Sequence, residues 1–304
     1  MKKFFIRTLY YFTLYLRREL FMKKFIVTIL MAALAVTFMS ACGNGNGGGS
    51  GEAEPWRPQP AVFNDDWDTI IMGTSAGFFP FEFIARPGEA VNDRYAGIDI
   101  SLAARISREL EVNIEIMDME FAGLITALQA REVDFVAAAM TIRPDRAESV
   151  NFSIPYFTAG QWVVVQTGSP YNSMTDLAGR SIGVQIGTTG DFAVTDALND
   201  GDIDLDDIVR FNQPAPGMLE LIGGSIDAFV IDAAVARAFA ATYSDRLRAF
   251  PDTDFFGAEQ YGMAFHLEDL ELRDRFNAVL QGLIAEGYID YLYDNYTAYF
   301  SPAD

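Results

Sequence analysis

The sequence predicts an α/β protein of two lobes, each a mixed, mostly parallel sheet flanked by helices, with the chain crossing twice between them. Three observations carry that expectation. A βαβαβ alternation occurs twice, once across residues 68–140 and again across residues 180–231. About 240 residues follow an N-terminal leader and a glycine-rich stretch, enough for one large or two medium cores. The apolar run 133–140 then empties abruptly into Thr141, Arg143, Pro144, Asp145 and Arg146. A run of small apolar residues reads as a strand covered on both faces, and open α/β sheets place ligands beyond the carboxyl ends of such strands. An arginine there offers a planar fork of donors suited to a carboxylate.

Residues 68–74 read as a first strand. Residues 98–110 set Ile98, Leu102, Ile106 and Leu110 on one helical face. Residues 112–117 alternate as a second strand, 121–130 form a helix, and 133–140 are the third strand. A strand at 161–166 and a capping-box pattern at Ser173-Met-Thr-Asp176 come next. Residues 180–185 open as a strand onto Gly187-Thr188-Thr189-Gly190 and a helix; 208–211, a helix near 216–222 and the strand 226–231 complete the second set. A strand at 261–265 ends at His266, expected to be exposed, and residues 268–286 and 288–299 are terminal helices. With crossings near Gly160 and within 250–260, residues 63–159 plus 256–304 make lobe 1 and residues 160–255 lobe 2. Two connecting strands form a hinge, and the cleft collects loops from both lobes.

The N-terminus points to the compartment. Residues 22–42 begin with two lysines and run through an apolar core of signal-peptide length to a small-residue site ending at Cys42, the sole cysteine. Residues 1–21 read as an extension ahead of a start at Met22 or as a lengthened charged region, so residues 1–41 are set aside from the fold as a signal peptide. A membrane-spanning anchor with an incidental cysteine is the rival reading. Residues 42–62 form a flexible tether. Gly43, Gly45 and Gly48 satisfy the dinucleotide glycine fingerprint, yet no strand precedes them and no helix follows, so the match is accidental.

Residues 1–41 hold seven of the 22 basic groups and one of the 42 acidic ones; the remainder carries 15 arginines, no lysine and 41 acids, a net charge of −26. That charge opposes nucleic-acid binding and adhesion to anionic lipid. A single cysteine excludes an internal disulfide.

Five motifs occur in a fixed order: Phe79-Pro-Phe-Glu-Phe83, Gly97-Ile-Asp-Ile-Ser-Leu102, Met140-Thr-Ile-Arg-Pro-Asp-Arg146, Val150-Asn-Phe-Ser-Ile-Pro-Tyr156 and Gly187-Thr188-Thr189. Together they resemble family 3 of the bacterial solute-binding proteins, the amino-acid receptors of ABC importers, over residues 66–300; Ser101 departs from the acid common at its position. The resemblance implies a periplasmic-binding-protein-like fold and a binding function without cofactor, metal or catalytic residue. Arg146 then holds the ligand α-carboxylate, assisted by Thr141 and by Thr188 and Thr189 at a helix N-terminus, where free N–H groups and partial positive charge favour anions. Asp232 and the carbonyl of Ala139 take the α-ammonium. Phe78 and Phe121 match positions that sandwich the ligand, and Ser75 and Gln185 match positions that tune side-chain choice. Neutral Gln185 stands where a cation is frequent, which disfavours an acidic ligand and leaves polar neutral, apolar and cationic ones open; Gly190 adds space. Met39-Ser-Ala-Cys42 resembles a lipobox, which implies a diacylated Cys42 and a lipoprotein on the outer face of the cytoplasmic membrane. The implied partners are an amino acid, ABC permease subunits and the membrane through the lipid anchor; the receptor is expected to be a monomer.

Each site residue also has a structural reading: Arg146 as a surface ion-pair former, Asp232, Thr188 and Thr189 as helix caps, Phe78 and Phe121 as core aromatics. Other classes find weaker footing. Gly73-Thr-Ser75-Ala-Gly77 fits a nucleophile elbow, but an extended, proline-interrupted run follows where a helix is required. The acids between Asp200 and Asp207 suggest a calcium loop, but Leu205 replaces the needed glycine and Phe211 the bidentate glutamate. Cyclohexadienyl dehydratases resemble the same family; that alternative needs a carboxylic acid in the cleft as proton donor, with Glu82 or Asp232 as candidates.

Overall fold

The computed structural model describes residues 56–299. The expected signal peptide, Cys42 and most of the tether lie outside the described residues. Residues 54–304 form one compact unit, built on two sheets with helices packed against them.

In chain order, β1 (Asp68–Thr74) leads to a short hairpin, β2 (Phe83–Ile84) and β3 (Tyr95–Ala96), then α1 (Ile98–Leu110) and β4 (Val112–Asp118). A 3₁₀ turn (Phe121–Gly123) runs into α2 (Leu124–Gln129), followed by β5 (Phe135–Val136), α3 (Pro144–Ala147) and β6 (Asn151–Phe152). Next come β7 (Phe157–Gln166), β8 (Ser181–Gln185), α4 (Thr189–Asp200), β9 (Asp207–Phe211), α5 (Pro214–Gly223), β10 (Ala228–Asp232) and α6 (Ala233–Thr242). The chain closes with β11 (Leu247–Pro251), β12 (Ala258–Tyr261), β13 (Ala264–Phe265), α7 (Leu270–Ala285) and α8 (Tyr288–Tyr299).

The first sheet has the order β4-β1-β5-β13-β6, with β1 parallel to β4 and β5 and with β13 antiparallel to β5 and β6. The second has the order β11-β7-β10-β8-β9; β8, β9 and β10 are parallel, β7 runs against them, and β11, antiparallel to β7, points the same way as the other three. Strand β7 belongs to two ladders: Phe157–Gly160 pair with β12, and Gln161–Gln166 pair with β10 and β11. The expected pair of βαβαβ units is present, β1-α1-β4-α2-β5 and β8-α4-β9-α5-β10.

Burial explains the element choices. All five residues of β10 are buried, which matches an apolar strand covered on both faces. In α1 the helical stripe Ile98, Leu102 and Ile106 faces the core. Close helix-to-sheet approach on the second sheet relies on two glycines: a Cβ on Gly217 would fall 2.2 Å from Phe229 Cε2, and one on Gly183 2.5 Å from Ile226 Cδ1.

Four expectations need correction. The strand read at 133–140 contracts to Phe135–Val136, because Ala139 turns into the left-handed region at φ 45° and ends the extended run. The strand read from Gln161 starts at Phe157, since its first residues find a partner in β12. The strand read at 261–265 is two strands, with Gly262 and Met263 between them, and His266 beyond it is half-buried with Nδ1 accepting from Glu268 N. The capping box at Ser173 forms reciprocally, with Ser173 N–H donating to Asp176 Oδ2 and Asp176 N–H to Ser173 Oγ, but it opens a single 3₁₀ turn, Thr175–Leu177.

Candidate ligand-binding cleft

The ten residues expected at the site line one cavity, together with Glu82 and Ala138. Its free volume is only about 10 Å³, so the walls lie nearly in contact. A wider, solvent-open groove of about 550 Å³ runs nearby between the Phe79–Phe83 region, α6 and α8, but it holds none of those ten. The first sheet contributes Ser75 after β1, Phe78 from the next turn, Phe121 from the 3₁₀ turn, Ala139 and Thr141 after β5, and Arg146 on α3. The second contributes Gln185 at the end of β8, Thr188 and Thr189 at the start of α4, and Asp232 at the end of β10. The site thus assembles from strand ends and helix starts.

Arg146 is only 5% exposed. Its Nη1 donates to the carbonyl of Thr141 at 2.8 Å and its Nη2 to that of Gly187 at 3.0 Å, so one side chain joins loops of the two sheets. The guanidinium carbon also lies 5.3 Å from the centre of the Phe121 ring. Burial, and then the neighbouring Arg143, push its pKa down to about 10. Among the described residues no carboxylate pairs with it within 4.0 Å. A desolvated cation without a counter-ion attracts an anion strongly.

Thr188 caps α4: its Oγ1 accepts from Asp191 N–H at 3.4 Å and donates to Gln185 O at 2.7 Å. The capping reading therefore holds for Thr188, which nonetheless lines the cavity. Thr189 Oγ1 is buried without a hydrogen-bond partner. Asp232 occupies the N-cap position of α6 yet makes no side-chain cap; it accepts the hydroxyl proton of Tyr261 instead. Burial raises its carboxyl pKa.

Two further cavity residues carry buried oxygens without a hydrogen-bond partner. Glu82 is 1% exposed, and its Oε2 has no hydrogen-bond partner. Burial first, then Asp99, Asp232 and Asp118, hold its carboxyl well above the ordinary range. Gln185 donates through Nε2 to Asn212 O at 3.2 Å, leaving Oε1 buried and unpartnered. The Asp232 carboxyl acts electrostatically on both Arg146 and Glu82.

Sequence reasoning missed several contributors. Glu259 on β12 accepts from Thr141 Oγ1 at 3.0 Å and from Gln161 Nε2 at 3.2 Å, and burial beside Asp232 pushes its pKa up to about 7. Nothing local marks Glu259, Gln161 or Tyr261 as neighbours of the cleft. Glu82 does carry a signal, an acid set among Phe79, Phe81 and Phe83.

Further contacts cross the cleft rim: Asn212 Nδ2 to Glu120 Oε1 at 2.6 Å, Gln213 Nε2 to Ser75 Oγ at 3.3 Å, and the Arg143 guanidinium 4.3 Å from the centre of the Phe192 ring. The two sets of loops are closed on each other.

A cavity between the two sheets, with a buried arginine that no described carboxylate pairs and a helix N-terminus at its wall, suits a small anionic group. The profile of the bacterial extracellular solute-binding proteins, family 3, matches residues 70–299, and the chain belongs to that family. It is 32% identical to the arginine-binding extracellular protein ArtP of Bacillus subtilis over 89% of this chain and 96% of that one. The L-arginine-binding protein of Pseudomonas aeruginosa is 29% identical over 76% and 88%. Among solved structures, an ancestral arginine-binding protein bound to arginine superposes with a TM-score of 0.68 at 35% identity, covering 75% of this chain and 97% of that one; an ancestral arginine-binding protein bound to glutamine superposes at 0.67 with 35% identity over the same shares. Holo ArgBP of T. maritima superposes at 0.63 with 40% identity, covering 71% and 90%. The relatives are two-lobed amino-acid-binding proteins of ABC transport, an extracellular class.

Proposed function

We propose that the protein captures a cationic L-amino acid, arginine above all, and presents it to the membrane subunits of an ABC importer. The observation that carries this reading is the pair of buried, unpartnered acceptors Glu82 Oε2 and Gln185 Oε1 in the same cavity as the unpaired Arg146. Buried acceptors without donors are costly, and a guanidinium supplies several planar N–H donors at once. In this reading Arg146 takes the carboxylate, Asp232 the ammonium and Glu82 the cationic tail. Thr141, Thr188 and Thr189 assist at the carboxylate, the carbonyl of Ala139 at the ammonium, Phe78 and Phe121 flank the stem, and Ser75 adjoins the tail. The names of several relatives, arginine-binding, agree with a cationic ligand.

In this reading lobe 1 comprises residues 63–159 plus 256–304 and lobe 2 residues 160–255, bending where β7 and β12 pair. The protein is a monomeric lipoprotein held by Cys42 after removal of residues 1–41, on the outer face of the cytoplasmic membrane. Calorimetric titration of the chain from Cys42 onward with arginine, lysine, histidine, glutamine and glutamate tests the ligand. Saturable heat is expected from arginine and none from glutamate; no heat from any amino acid refutes the proposal.

One observation favours a second reading: Glu82, protonated and buried in the cleft, is the carboxylic acid that a dehydratase of the cyclohexadienyl type requires. Incubation with prephenate or arogenate separates the two, since only the enzyme consumes them.

A further inference from the structure

We infer that Asp99, which lies outside the cavity, is the positioning residue of the ligand-ammonium subsite and acts through Ala139. The inference rests on the receptor reading above. Asp99 is fully buried in the first turn of α1, inside the motif Gly97-Ile-Asp-Ile-Ser-Leu102. Its Oδ2 accepts the backbone N–H of Ala139 at 2.7 Å, and its Oδ1 accepts the hydroxyl of Tyr156 at 2.8 Å.

Ala139 is the one cavity-lining residue with a positive φ, 45°. A residue with a Cβ adopts that left-handed region rarely, and holds it where surrounding structure dictates it. Asp99 supplies the dictation. Upstream, Ala137 N–H binds Gly73 O at 3.1 Å and Thr74 Oγ1 donates to Ala137 O at 2.8 Å, which ties the approach to β1. Downstream, Gly262 N–H binds Met140 O at 3.0 Å. Between these anchors the Ala139 peptide is held by one carboxylate oxygen. Tyr156 fixes the other oxygen, so the carboxylate cannot rotate away. Asp99 and Tyr156, from two separate motifs, thereby fix the N–H side of Ala139, whose left-handed backbone then sets the direction of its carbonyl at the cavity wall. Asp99 touches neither ligand nor cleft, and its effect is confined to ligands that need the ammonium acceptor.

The test compares L-arginine with 5-guanidinopentanoate, which lacks only the α-ammonium, on three forms of the chain from Cys42 onward. In Asp99→Leu the N–H of Ala139 loses its acceptor; in Asp99→Asn an amide oxygen still accepts it while the amide nitrogen donates to the Tyr156 oxygen. The ratio of the two affinities is expected to fall at least tenfold in Asp99→Leu and to stay within threefold of the parent in Asp99→Asn. Equal loss for both ligands in Asp99→Leu, with the ratio preserved, overturns the inference by showing a purely structural role. A ratio as low in Asp99→Asn as in Asp99→Leu overturns it too, because charge rather than the accepted N–H then governs the subsite. Should Asp99→Leu not fold, Asp99→Ser, too short to reach Ala139, takes its place under the same ratio criterion. Failure of the parent protein to bind arginine strikes the receptor reading instead.

Discussion

Glu82→Gln, followed across pH, tests the charge logic of the cleft most directly. In the unliganded protein burial and three acids keep the Glu82 carboxyl protonated well above the ordinary range. A cationic tail beside it reverses the preference and favours the carboxylate, so the group gives up a proton on binding. The sign follows: a pKa high in the free receptor and lower in the complex makes affinity weak at low pH and stronger as pH rises, with a plateau above the free-state value. One such proton contributes a slope of one decade in affinity per pH unit, or 1.36 kcal/mol. That slope holds across the pH window between the value in the complex and the value in the free receptor. Asp232 and Glu259, both also raised, add slopes of their own, so the quantity to read is the difference between parent and variant. Calorimetry in buffers of different ionisation enthalpy counts the protons released with arginine. The parent should release about one proton more than Glu82→Gln, which should also bind arginine about 2–5 kcal/mol more weakly at the plateau, the range for removing one partner of a buried charge pair. Equal proton counts, or affinity that falls as pH rises, would refute the reasoning.

Arg146→Ala should cost about 2–5 kcal/mol of binding by the same logic; unchanged affinity in titration calorimetry would place the carboxylate elsewhere. Arg143→Ala removes the cation–π contact across the rim, about 0.5–1 kcal/mol at a partly exposed site, and should speed ligand release two- to fivefold in stopped-flow while sparing the melting temperature. Gly217→Ala drives a Cβ into the Phe229 ring and should destabilise by about 1–3 kcal/mol, read as a lower denaturant midpoint with arginine affinity retained. Burial lifts the Asp99 carboxyl from 3.8 to about 7, so its share of folding stability is complete below the lower value and is lost as pH rises through the upper one. Melting of the unliganded protein should therefore decline between pH 5 and pH 8, and less so in Asp99→Asn.

The sequence was most readable where period and punctuation act locally. The helix at Ile98–Leu110 follows from one apolar stripe, and α4 from the Gly187-Thr188-Thr189 start that gives it a cap. The ten site residues sit at strand ends and helix starts, where the α/β pattern directs attention, and they share one cavity. What stayed hidden depends on distant partners. Ala137 to Ala139 have the composition of a strand, yet Ala139 leaves it under the hold of a carboxylate forty positions upstream. Glu82 stands out only once its burial and lack of partner are seen. Gln161 and Glu259 reach the cleft from strands that pair nearly a hundred residues apart, and neither position carries a motif.

Strand β7 has one more consequence. It passes from one ladder to the next without an intervening loop, and β12 is bonded along the crossing from Phe157 to Gly160. Gln161, the first residue past that ribbon, donates to Oε2 of Glu259 within it, and Thr141 Oγ1 donates to the same oxygen. The crossing is thus bonded directly to a residue of the cavity wall, so a change of Gln161 or Glu259 should loosen the wall and the crossing together.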